Sequence, residues 1–155
     1  EFGQGTEWNF DKVLDWYVLQ YPLHQGVMKL IGDLNKLYCS NEALYTHDFE
    51  PEGFEWIDCH DASQSIISYQ RKAKDKFLIV VLNFTPVPRE NYRIGVPCDG
   101  TYHEILNSDS EFYGGSNLGN GQRLIAEPVS WMNQPHSLNL SLPPLGAIII
   151  QRDDG

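Results

Sequence analysis

Positive charge is scarce in this sequence. Eleven Lys and Arg stand against 21 Asp and Glu in 155 residues, a formal net charge of −10. A surface of that sign repels phosphate backbones and anionic lipid, so nucleic acid and membrane are set aside as partners. A neutral, polyhydroxylated ligand remains compatible with it. Cysteine is scarce too. Cys39, Cys59 and Cys98 are odd in number and form no CxxC pair, so neither a disulfide framework nor a zinc site is expected. Reduced thiols in a cytoplasmic protein are the simpler reading, with a single Cys59–Cys98 bridge left open. No apolar run approaches the roughly 18 residues of a membrane span. The chain opens Glu1-Phe2-Gly3-Gln4-Gly5, without an initiator Met, a basic start or a signal-peptide pattern. That opening suggests a piece of a longer polypeptide, with Glu1-Phe2 either native or a cloning scar.

Catalytic and cofactor motifs are also missing. The glycine-rich stretch Tyr113-Gly114-Gly115-Ser116-Asn117-Leu118-Gly119-Asn120-Gly121 has no Lys-Ser/Thr running into a helix, so it is a structural loop rather than a phosphate cradle. His24, His47, His60, His103 and His136 show no metal-ligand spacing; His60 with Asp58 and Asp61 comes nearest and reads as an exposed strand end. No serine sits in a nucleophile elbow. No cofactor and no metal are therefore expected. Asn83-Phe84-Thr85 and Asn139-Leu140-Ser141 match the glycosylation pattern, but they fall at strand positions and read as chance matches.

The residues that are present divide near residue 50. Val27, Leu30, Ile31, Leu34, Leu37 and Tyr38 repeat with helical period, and Pro22 stands where a first helical turn tolerates proline. The spacing predicts an amphipathic helix over about 24–39, with Lys29 and Asp33 spaced for an i,i+4 pair and a short extra turn at 41–44. Its apolar face must be covered either by the β-rich region after it or by a body that precedes it. Beyond residue 50, short β-favouring runs alternate with turn signals, the cadence of an antiparallel sandwich. Strands are predicted at 54–60, 65–70, 77–83, 92–96, 101–106, 123–126, 138–142 and 147–151, with Lys72–Lys76 as a charged hairpin loop. Phe77–Leu82 is apolar on both faces and reads as a central strand.

Acidic residues recur at Glu7, Asp11 and Asp15 and again at Glu52, Glu55, Asp58 and Asp61. Retaining glycoside chemistry needs two carboxyls about 5–5.5 Å apart across a cleft, and one helix with a small sandwich is a poor frame for one. Solvated acidic faces account for these positions. Tryptophans lie beside polar or acidic neighbours: Trp8 in Glu7-Trp8-Asn9, Trp16 in Asp15-Trp16-Tyr17, Trp56 in Glu55-Trp56-Ile57-Asp58, and Trp131. An indole face beside carboxylates suits a sugar ring, whose C–H face stacks while its hydroxyls donate; core packing is the competing use.

These segments together resemble the end of bacterial glycogen branching enzymes. The resemblance runs through Glu1-Phe2-Gly3-Gln4, Glu7-Trp8-Asn9, Gly53-Phe54-Glu55-Trp56, Asn83-Phe84-Thr85-Pro86-Val87-Pro88-Arg89, Glu104-Ile105-Leu106-Asn107-Ser108-Asp109 and Leu142-Pro143-Pro144-Leu145, and so over essentially the whole chain. It implies a mainly β chain: an antiparallel sandwich of the α-amylase carboxy-terminal type at 49–155, preceded at 1–48 by a remnant of a catalytic (β/α)8 barrel with its last helix. It implies a parent that moves an α-1,4-linked glucan piece to a 6-hydroxyl. The nucleophilic Asp and acid/base Glu of such enzymes lie on earlier barrel strands, and none of their motifs occurs here. The expected partners are α-glucan (glycogen, amylose, malto-oligosaccharide) and the barrel itself. Trp56, with Glu55 and Asp58, is the first expected glucan contact, and Trp8 and Trp16 come next. A stand-alone carbohydrate-binding module and a sandwich that binds no sugar are the competing readings.

Overall fold

The computed structural model describes residues 1–121 and 123–153. An extended amino-terminal segment leads through a 3-10 turn at Trp16–Gln20 into α1 (Pro22–Ser40), and one turn of helix, α2 (Glu42–Tyr45), comes after it. Pro22 occupies the first turn of α1, where its missing N–H costs nothing. Asn41 ends α1 and caps α2, its side chain accepting from the Ala43 N–H at 3.1 Å. Among the described residues eight strands follow: β1 (Phe54–Asp58), β2 (Ile66–Ala73), β3 (Lys76–Asn83), β4 (Arg89–Val96), β5 (Thr101–Asn107), β6 (Leu124–Ile125), β7 (His136–Leu142) and β8 (Gly146–Arg152).

Six strands form one antiparallel sheet in the order β1-β2-β3-β8-β5-β6, and β4 pairs with β7 as a second, two-stranded sheet. The expected sandwich is therefore present, with very unequal layers. Alternation along β3 explains its composition. Ile79 and Val81 point inward and pack with Ile148, Ile150, Ile94, Leu138 and Leu140 between the sheets. Leu78 and Val80 point outward and pack with Ile149, Leu106 and Ala43 under the helices. Both faces are buried, as the run of apolar residues predicts, and each such side chain contributes about 1.5–3 kcal/mol relative to exposure.

The face of α1 is divided. Leu30, Leu34 and Leu37 pack onto the outer face of the large sheet, so the sandwich covers part of the predicted apolar stripe. Val27, Met28 and Tyr38 remain exposed. Asp33 does not pair with Lys29; it accepts from Lys36 at 2.8 Å and from the Tyr113 hydroxyl at 3.0 Å, because a loop of the β domain reaches the helix. Arg71 of β2 fastens the helical segment to the same face, donating to the carbonyls of Gly53 and Leu44 and to Asp48 Oδ1 at 2.7 Å.

Several strand ends differ from expectation. β1 stops at Asp58, not His60, because Asp58 Oδ1 accepts from the His60 N–H at 2.9 Å and turns the chain out of the ladder. The charged loop expected at 72–76 shrinks to a turn at Lys74-Asp75, since β2 and β3 pair up to Ala73 and Lys76. β6 is only Leu124–Ile125. The glycine-rich loop is structural: Asp109 accepts from Ser116 and from the Leu118 N–H, and Gly114 and Asn117 take φ of 87° and 63°. Gln122, at the end of that loop, lies outside the described residues. All three cysteines are free. Among the described residues no helix is long and apolar enough to cross a membrane.

Candidate functional site

The register of β1 with β2 separates residues that are neighbours in sequence. Glu55 lies opposite Gln70, Trp56 opposite Tyr69 and Asp58 opposite Ser68, with a bulge between Trp56 and Asp58. Gln70 and Ser68 are buried on the inner side. Trp56 therefore faces outward while Glu55 and Asp58 face the other way. Glu55 pairs with Lys72. The bulge drops Ile57 into the inter-sheet core. The three residues expected to act together do not share a face.

On the outer side, Trp56 joins an aromatic group. Its ring meets Phe54 edge-on at 4.8 Å and Tyr69 at 6.0 Å, and Phe54 stacks on Tyr69 at 5.1 Å. Trp56 remains 51% exposed, so the cluster packs against the indole and leaves about half of it open to solvent. Trp16 stacks at 5.1 Å on the buried Phe2, whose carbonyl accepts from His24 Nδ1 at 2.8 Å. Trp8 is 72% exposed, and Phe10, Val13 and Tyr17 are exposed along the same segment.

Asp58 opens into a different place, a groove of about 750 Å³ between the β1–β2 connection, the start of β4 and the turn at Trp131. A bulge in β4 between Arg89 and Tyr92, with Asn91 at φ 56°, shapes one wall. Trp131 and Gln134 bridge a turn that lies directly on Gly95 of β4, where a Cβ would come 2.1 Å from the Trp131 carbonyl oxygen. Only glycine permits that seat. The floor is fixed by Asp61, which accepts from the Tyr92 hydroxyl at 2.9 Å and from Ser63 and Gln64. Burial opposes the charge on Asp61, but these hydrogen bonds outweigh it and hold the carboxyl below its ordinary range. Burial and the Asp61 carboxylate together push the Tyr92 phenol up, so it stays a neutral donor. The Arg89 Nε is shielded from solvent and has no hydrogen-bond partner among the described residues.

In the sequence Trp131 stands out beside polar neighbours, but this groove does not. Its walls come from segments around 58–64, 88–93 and 131–132, which only strand pairing brings together. The visible signals were the acid-rich run at Asp58–Asp61 and a Gly inside a strand. Asp33, Asp48, Asp61 and Asp109 all lie below the usual carboxylate range, the reverse of what a general acid requires. Among the described residues no group of three His, Cys, Asp or Glu could hold a metal ion.

Known proteins resemble this chain in sequence over most of its length. The family described as "Alpha amylase, C-terminal all-beta domain" matches residues 56–153. Over 97% of its length the chain is 58% identical to the 1,4-alpha-glucan branching enzyme of Nitrosococcus oceani and 56% identical to those of Cellvibrio japonicus and Methylococcus capsulatus. It spans 20% of the length of each of these relatives.

Proposed function

Because this chain belongs to the alpha-amylase C-terminal all-beta domain family, in the form similar to that of 1,4-alpha-glucan branching enzymes, we propose that it is the stabilising and glucan-contacting part of such an enzyme. In this reading the whole enzyme transfers an α-1,4-linked piece to a 6-hydroxyl during glycogen synthesis in the cytoplasm. The bond-breaking carboxyls belong to a catalytic barrel, and this chain by itself is inactive. Residues 1–48 are the edge of that barrel with its last helix, and 49–155 are the sandwich.

The observation that carries the reading is the run of exposed large apolar side chains before and at the start of α1, Trp8, Phe10, Val13, Trp16, Tyr17 and Leu23, while the sandwich buries its own core residues. So many exposed apolar side chains in one short segment call for a covering body. A free-standing carbohydrate-binding module has no use for it, and the similarity to branching enzymes extends over the helical segment as well. Trp56 is the first glucan contact, an indole packed against Phe54 and Tyr69 and about half exposed. Glu55 and Asp58 assist from the strand's other side only if a glucan wraps the sheet edge. Trp8 and Trp16 serve sugar or the barrel interface.

Two assays test this. Incubated with amylose, the chain leaves iodine absorbance unchanged; a fall from branching would place catalysis inside it. In gels containing glycogen the chain migrates late, and Trp56→Ala weakens apparent affinity roughly tenfold, equal to about 1.4 kcal/mol. Unretarded migration of the unmodified chain would remove the glucan-contact role.

A further inference from the structure

We propose that the Trp131 groove is a second glucan site, separate from the Trp56 face, in which the indole supports a glucose ring while Asp58, Asn91 and Arg89 bond its hydroxyls. The inference rests on the proposed glucan contact but uses none of the residues that define the Trp56 face.

Most polar groups around the groove are already engaged with one another. Asp61 is saturated by Tyr92, Ser63 and Gln64. Arg93 donates to Glu127 and to the Ser137 hydroxyl, both at 2.7 Å. These contacts form the frame. The groups left facing the groove are a mixed set: Glu90 and the second carboxylate oxygen of Asp58, whose Oδ1 already accepts from His60, as acceptors, Arg89 as a donor, and the Asn91 amide as both. Arg89 has no hydrogen-bond or ion-pair partner among the described residues, and its Nε is already desolvated. The shielded Nε is closed to a ligand as it is to water, so it is the remaining guanidinium donors of Arg89, which lines the groove, that a ligand hydroxyl can meet.

The charge pattern selects the ligand class. An anion would meet Asp58, Asp61 and Glu90; a cation would meet Arg89 and Arg93. A neutral molecule with many hydroxyls satisfies both signs, and Trp131, 47% exposed, supplies the apolar plate that a pyranose C–H face requires. The volume of about 750 Å³ lies within the range of about 300–1,000 Å³ usual for small-ligand sites. The frame is also rigid before any ligand arrives. The Tyr92–Asp61 bond ties the β1–β2 connection to β4, and the contact at Gly95 ties the Trp131 turn to the same strand. Asn91 and Met132 hold left-handed backbone on opposite walls, with φ of 56° and 48°.

Trp56 lies on the outer side of the large sheet and this groove on the inner side, so two chains of a branched polymer can be held at once. Paired weak sites of this kind raise avidity for a polymer beyond that for a short oligosaccharide.

The test tracks the indole N–H signals of Trp8, Trp16, Trp56 and Trp131 by 15N NMR as maltoheptaose is added. Trp131→Ala and Trp56→Ala each delete their own signal and so assign it. The Trp131 indole and the Asn91 amide are expected to shift saturably, and to go on doing so in Trp56→Ala. Arg89→Ala should weaken the Trp131 titration roughly tenfold while leaving that of Trp56 unchanged. If Trp56 shifts and Trp131 does not, the second site is overturned and the glucan reading stands. If no indole shifts and glycogen gels do not retard the chain, both fall together.

Discussion

Arg71 does more at the residue scale than its exposed-looking sequence context suggests. One guanidinium satisfies two carbonyls and one carboxylate, and so joins β2 to the segment between α2 and β1. Arg71→Ala leaves those acceptors without a donor and is expected to cost about 2–3 kcal/mol, read as a lower urea midpoint with unchanged slope. Asp48 provides the pH signature of the same contact. The hydrogen bonds from Arg71 and Tyr38 hold its carboxyl below the ordinary value. A depressed folded-state pKa adds stability above the unfolded value of about 3.9, and that stability is lost as pH falls through the folded value. The melting temperature should therefore decline on acidification below about pH 4, and Asp48→Asn should flatten that decline. Asn83 illustrates the limit of motif reading at this scale. Its side-chain amide donates to the carbonyls of Val87 and Pro143 at 2.9 Å and is buried, so the sequon is a structural clasp closed to modification.

Among the elements, the contact between α1 and the glycine-rich loop is the least expected and the most exacting. A Cβ on Gly26 would stand 2.0 Å from the Tyr113 carbonyl oxygen, and the Tyr113 hydroxyl bonds Asp33 further along the same helix. Gly26→Ala raises helix propensity, yet it should destabilise the protein by about 1–3 kcal/mol because backbone must move. Chemical denaturation measures the sign, and a stabilised variant would show that the loop yields. The eight strands were legible because their patterning is strong and their turns hold Gly, Pro, Asn and Asp. The two-residue β6 and the early end of β1 were not, because a local side-chain bond and the available pairing partner set them. The groove at Trp131 was illegible for the same reason: its walls are joined by pairing across distant segments.

For the whole molecule, the helices before residue 50 pack on the outer face of the large sheet. Removing residues 1–48 would uncover Leu78, Val80, Leu106 and Ile149 on the outer face of the sheet. A chain of residues 49–155 should melt at lower temperature, bind a hydrophobic dye and aggregate, judged beside the intact chain by calorimetry and light scattering. Equal melting would mean that the sandwich is autonomous and that the helical segment belongs wholly to a preceding body. The sequence by itself determined the number and order of the strands, the amphipathic α1, the two-sided burial of β3 and the family resemblance, because hydrophobic period and local motifs are properties of contiguous residues. Only the tertiary structure decided which tryptophans keep an open face, that Trp56 and Asp58 part company across the sheet, and that the sandwich covers part of the α1 stripe. Those outcomes depend on register, where a shift of one residue exchanges the two faces of a strand.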